Sequence, residues 1–506
     1  MADPVTTARA VLELVDEPWQ RHRASLGAAF TDAIQGLEEL VQADDYHHRA
    51  RDQDQLERSL GPLGKSNLDV GALSNLLGES AHSRAMSSDR LTRVRALIPE
   101  LVQMREELPG TLVESALFVN IERDLAEILS LAEDHLERAS QVFRTLRKAQ
   151  MEVRSKYEPE LHDHPFEDFR WRQLAPNELR LCPPFVVVGR LDQHSSATLL
   201  KAISLLETNL PMTILLLRSS VRGAQQIGAD TSVPATLSVE MLPVAMRGVH
   251  VAQACAPVDG FPEKAFGALE APRPAVLSQL VARDGEGADA FKKRAEDAIR
   301  SRAFPIFSFD PDRSEHFVEC FDLTSNPAPD ETWTIARLRG PDSQGHPIDL
   351  EEAFTFAHFA AQEPEFETDY SDPPEGADDL VPMAEYLDLE RRQRADKRAF
   401  VWRRGEDGCL VRNVVSNAVA LQCAERLHLW RTLRELSGLN NPHAEAARAA
   451  LERELNEQQQ AAAEQLRAET ERLRAEMEAT MAEREQAAVA TAVERLVTNL
   501  ATRATD

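Results

Sequence analysis

The sequence predicts an α/β protein with large all-α extensions. Three observations predict it. Residues 182–217 read as strand–helix–strand, with both strands apolar on both faces, as in a buried parallel sheet. Residues 5–157 carry apolar side chains at helical spacing. Residues 441–500 hold no glycine, and their one proline, Pro442, stands in the first turn of a helix, where proline is accepted.

Taken in order, 1–158 form a helical domain, with loops at 59–67 and 79–88. Within it, 112–157 lacks Pro and Gly and carries Leu125, Ile128, Leu129, Leu136, Val142 and Leu146 on one helical face. As one helix it would run about 69 Å at 1.5 Å per residue, or it breaks once. Pro109-Gly110 stops the helix before it and Pro159 stops this one. Residues 159–181 are a connector rich in Pro, His and aromatics.

The α/β domain spans 182–330. Phe185-Val186-Val187-Val188 is a β-branched run ending at Gly189, followed by a helix at 196–207 and a second strand at 213–217. Further strands are expected at 248–252 and 275–281, and a helix at 284–303. Helices alternating with short apolar strands favour a central, doubly wound parallel sheet covered on both faces.

Residues 331–398 read as an acidic segment and linker. From Gly340 to Glu390 there are fifteen Asp and Glu and no Lys or Arg. The piece 363–379, with Pro364, Pro373 and Pro374, reads as a disordered or loosely held loop. A basic cluster follows: Arg391, Arg392, Arg394, Lys397, Arg398, Arg403 and Arg404. These stretches either neutralise each other within one folded unit or offer an acidic surface to a basic partner. Residues 399–438 read as a hairpin around Gly405-Glu406-Asp407-Gly408 and a helix from 417 to 436 ending before Gly438.

The last helix, 441–500, repeats its apolar positions every eleven residues: Leu451, Ala462 and Leu473, and Leu455, Leu466, Met477 and Ala488. That period gives about 3.67 residues per turn, a straight or slightly right-handed coil. So narrow a stripe cannot be buried alone, and it should pair with a second copy or with a long N-terminal helix. Homo-oligomerisation through 441–500 is the expectation.

Composition excludes several classes. A formal net charge of −27 argues against nucleic acid and anionic membranes as partners. Five scattered cysteines, Cys182, Cys255, Cys320, Cys409 and Cys423, form no CxxC pair, which speaks against a disulfide scaffold, a zinc ribbon or an iron–sulfur site. The start, Met1-Ala2-Asp3-Pro4-Val5, does not read as a signal peptide, and no apolar run approaches the roughly 20 residues of a membrane span. A cytoplasmic location is expected.

Two motifs imitate chemistry. Gly61-Pro62-Leu63-Gly64-Lys65-Ser66 resembles a phosphate loop, but the polar, helical 53–58 before it is no strand to aim backbone amides at phosphate. His162-Asp163-His164 and Asp44-Asp45-Tyr46-His47-His48 offer metal-ligand types without the i, i+4 spacing of a metallohydrolase, and read as exposed turns.

Four pieces carry a family resemblance: Val186-Val187-Val188-Gly189, Leu210-Pro211-Met212-Thr213-Ile214-Leu215-Leu216-Leu217, Gly248-Val249-His250-Val251-Ala252-Gln253, and Arg302-Ala303-Phe304-Pro305-Ile306-Phe307-Ser308-Phe309-Asp310-Pro311. In order and spacing they resemble the thiamine-diphosphate-binding domain of pyruvate:ferredoxin (flavodoxin) oxidoreductases, the 2-oxoacid:acceptor oxidoreductase family. The likeness covers about a quarter of the chain, 182 to 311. It implies a Mg²⁺ held by an Asp of a Gly-Asp-Gly turn after the first strand and an Asn beyond the second, since a hard cation bridging a diphosphate takes oxygen ligands.

This chain departs at both places. The first motif reads Gly189-Arg190-Leu191-Asp192, and the second strand is followed by Arg218-Ser219-Ser220-Val221-Arg222-Gly223. The candidate cofactor-binding residues are therefore Gly189, Arg190, Asp192, Arg218, Arg222 and Gly223. Asp192 could replace the lost ligand, the arginines could grip a diphosphate without metal, or the site is a decayed one kept as scaffold. No catalytic residue and no metal ligand is assigned, and no cofactor is expected, with thiamine diphosphate and magnesium as the alternative. The resemblance also implies partner chains, iron–sulfur or oxidoreductase subunits. The sequence thus predicts an accessory or non-catalytic subunit of a cytoplasmic complex. Its alternatives are an active thiamine-diphosphate-dependent subunit completed by partner chains, and a coiled-coil scaffold that recruits a protein through its acidic segment.

Overall fold

The computed structural model describes residues 3–49, 54, 56–60, 69–82, 86–191, 195–221, 240–342, 345–374, 376–405 and 407–503. The chain divides into two units, Met1–Leu439 and Asn440–Asp506. The first is a mixed α/β body with long N-terminal helices.

Its centre is a seven-stranded sheet, ordered β1-β2-β3-β5-β4-β6-β7. The strands are β1 Leu117–Asn120, β2 Phe185–Arg190, β3 Thr213–Arg218, β4 His250–Cys255, β5 Ala275–Leu280, β6 Phe307–Phe309 and β7 Phe321–Asp322. The first five in that order run parallel, while β6 and β7 are antiparallel to their neighbours. Strands β2 to β5 are buried nearly end to end, which explains the apolar runs of β2 and β3; β4 and β5 bury His250, Gln253, Ser278 and Gln279 as well.

Winding places the helices. The crossovers from β1 to β2, β3 and then β4 advance across the sheet, and the step from β4 to β5 returns. With right-handed crossovers, advance and return put helices on opposite faces. Helices α4 (Leu125–Val153) and α5 (Ser195–Leu206) accordingly cover one face, where Ile128, Leu136 and Leu205 meet Phe185, Val187, Ile214 and Leu216. Helices α1 (Pro4–Leu12) and α6 (Phe261–Leu269) cover the other, where Leu12 and Phe266 join Val186, Val188, Leu215 and Leu217.

The sequence reads 112–157 as helix, whole or once broken. The structure breaks it once, and the break is a strand. Thr111 and Glu114 form a reciprocal cap on a one-turn helix, Leu112–Ser115, and Ala116 then turns extended. Leu117, Phe118, Val119 and Asn120 pair with Phe185 to Val188, so the sheet's edge strand comes from the segment read as helical.

Behind α4 lie α2 (Asp16–Arg49) and α3 (Ser88–Glu106), packed through Phe30, Leu37, Val94, Leu101 and Phe143. Glu152 of α4 is fully buried and accepts Arg90 Nε at 2.9 Å and Arg93 Nε at 2.7 Å, both from α3.

After β7 come a two-stranded ribbon, β8 (Thr334–Pro341) with β9 (Pro347–Phe354), and a small sheet ordered β10-β13-β12-β11. Its strands are β10 Tyr370–Ser371, β11 Leu380–Pro382, β12 Arg398–Arg404 and β13 Leu410–Val415. Helix α7 (Ala288–Arg300) and helix α8 (Asn417–Leu436) pack against this sheet. The reading of 363–379 as a loosely held loop is corrected here for its first part, 363–371. Phe366 is fully buried, Tyr370 pairs with Val415, and Asp369 accepts Ser416 Oγ at 2.8 Å. Acidic composition signals disorder only where no apolar anchor interrupts it, and Phe366 and Tyr370 are such anchors. Of the basic cluster, Arg398 pairs with Asp379 at 2.8 Å. Among the described residues no helix is long and apolar enough to cross a membrane. The second unit is the helix α9, Pro442–Arg503.

Two outcomes follow from this packing. Glu152→Ala leaves Arg90 and Arg93 without their shared buried carboxylate, and should lower stability by about 2 kcal/mol, read as a drop in thermal midpoint. At the far side of the sheet, His250 Nδ1 lies 3.6 Å from Asp310 Oδ1. That contact, helped by the Asp312 amide, overcomes burial and holds the Asp310 carboxyl at about 2. A depressed carboxyl stabilises above its unfolded value of about 3.9 and ceases to as pH falls through the folded one. Asp310→Asn should therefore melt below the parent at pH 5, and the gap should close as pH approaches 2.

Candidate cofactor crevice at the strand ends

In open α/β sheets ligands sit outside the carboxyl ends of parallel strands, where neighbouring loops leave toward opposite faces. Here that place lies beside β5 and β4. The chain leaves β4 for α6 on one face and leaves β5 for α7 on the other.

Gly189 ends the apolar run of β2. A Cβ there would lie 2.9 Å from Ile121 Cγ2 and 3.1 Å from Thr198 Cγ2. The glycine thus lets the first turn of α5 sit directly on β2. Its need is a packing need, set by Ile121 first and by Thr198, nine residues later, second.

Arg190 and Arg218 do not converge. Side chains alternate along a strand, and Arg190 falls on the α1 face with Val186 and Val188, its Nη2 3.5 Å from Thr7 Oγ1. Arg218 falls on the opposite face with Ile214 and Leu216. There its Nη2 donates to Glu240 Oε1 at 2.5 Å, and Ser278 Oγ of β5 donates to the same oxygen at 2.8 Å. The Glu240 side chain is 5% exposed and that of Arg218 18%, so the carboxylate is buried and the guanidinium half-buried. Asp192, Arg222 and Gly223 lie outside the described residues.

The strand ends are capped by the chain itself. Arg294 of α7, a buried residue, donates Nη1 to Ser219 O at 3.2 Å and Nη2 to Val281 O at 2.9 Å, joining the exits of β3 and β5. Its Nε and Nη2 also hold both oxygens of Glu286, at 2.7 and 2.8 Å. Burial works against the Glu286 charge, but these bonds and the Arg283 amide outweigh it, and its pKa stays below the usual carboxylate value. Arg426 of α8 donates Nη2 to Val221 O at 2.7 Å. Burial first, and the nearby Arg218 second, bring its pKa down to about 10, so it remains a cation at neutral pH. Glu365 accepts Ser220 Oγ at 2.8 and 2.7 Å, and Glu363 pairs with Arg283. Beneath these polar contacts, Val221 and Leu280 pack against Phe304, Phe356 and Phe366.

Glu240, Ser278, Glu286, Arg294 and Arg426 were not among the sequence candidates. One local signal pointed there: Ser278-Gln279 interrupts an otherwise apolar strand, and both residues are fully buried. A polar pair inside a two-faced apolar strand needs partners. Comparison with models of protein families finds none that matches this chain, and a search of curated proteins finds no match either.

Chemically, the arrangement neutralises charge internally. Arg218→Met removes the cation beside buried Glu240 and should cost about 3 kcal/mol. A thermal midpoint unchanged by the substitution would mean that Arg218 is held in reserve for a ligand.

Proposed function

We propose that this chain is an accessory, non-catalytic relative of the 2-oxoacid:acceptor oxidoreductases. Its α/β body serves as scaffold in a cytoplasmic complex, and its C-terminal helix assembles copies of the chain. One observation carries the reading: at the strand ends, where a diphosphate would bind, the arginines are already engaged by the chain's own carboxylates and carbonyls. Arg190 stands where the resemblance calls for a magnesium-ligating aspartate, and it lies on the α1 face. A guanidinium cannot ligate a hard cation, which takes oxygen donors. Displacing the internal pairs to admit a diphosphate would leave Glu240 and Glu286 buried beside a second anion, a costly arrangement.

The winding supports the ancestry. A parallel sheet of apolar strands with helices on both faces is the frame on which such a pocket is built, and fold alone does not carry activity. The test is isothermal calorimetry of the full chain with thiamine diphosphate and Mg²⁺. The expected result is no saturable heat with ligand up to about 1 mM, which corresponds to binding weaker than about −4 kcal/mol. Saturation in the micromolar range would overturn the reading in favour of an active subunit completed by partner chains.

A further inference from the structure

We draw no further inference here: the strongest candidate, the buried Arg302–Trp430 cluster beneath the 328–331 turn, leaves Arg302 Nε and Nη1 without hydrogen-bond partners among the described residues, but both nitrogens are shut off from solvent and nothing in the structure points to a ligand beside them.

Discussion

Charges buried at the carboxyl ends of β3 and β5 must be paired within the chain, and the rest of the body is arranged around that requirement. A guanidinium or carboxylate taken out of water is tolerable only with a partner. Arg218 has Glu240, which Ser278 also holds. Arg294 has Glu286 and two strand-exit carbonyls. Arg426 reaches Val221 from α8. These bonds fix α7, α8 and the acidic 363–369 turn over the sheet. The apolar contacts of Phe356 and Phe366 with Val221 and Leu280 then exclude water beneath them. The exits of β3 and β5 are closed by this internal seam.

The same logic runs through the helical layer. Glu152 joins α4 to α3 by taking two arginines, and Gly36 of α2 leaves no room for even a Cβ, which would lie 2.8 Å from both methyl carbons of Val153. Because α4 also covers β1 and β2, the N-terminal helices and the sheet share one continuous packing scheme. The helical segment is thus part of the sheet's support, and it supplies the edge strand as well.

The strands of the central sheet were legible because burial on both faces favours apolar runs, as in Phe185-Val186-Val187-Val188 and Ile214 to Leu217. Strand β1 was not, since four residues within a helix-rich stretch show no period of their own. The 363–369 turn was hidden by its carboxylates, which outnumber the one phenylalanine that anchors it. Within the site, Arg190 and Arg218 could be singled out from sequence only as the residues that follow the two apolar runs. Their projection to opposite faces follows from strand register, which only pairing fixes. Glu240, Arg294 and Arg426 were invisible because their contacts join residues 22, 75 and 205 positions apart. The one local trace of this long-range pairing is the polar Ser278-Gln279 step within β5.

The central claim is that the strand-end ion pairs are structural partners rather than a ligand site at rest. A double-mutant cycle on Arg218→Met and Glu240→Gln, read by chemical denaturation, tests it most directly. Structural partnership predicts a coupling of at least about 1.5 kcal/mol, with the double variant more stable than the sum of the single losses. Coupling near zero would show that Arg218 contributes nothing to holding this seam together, and would contradict the account.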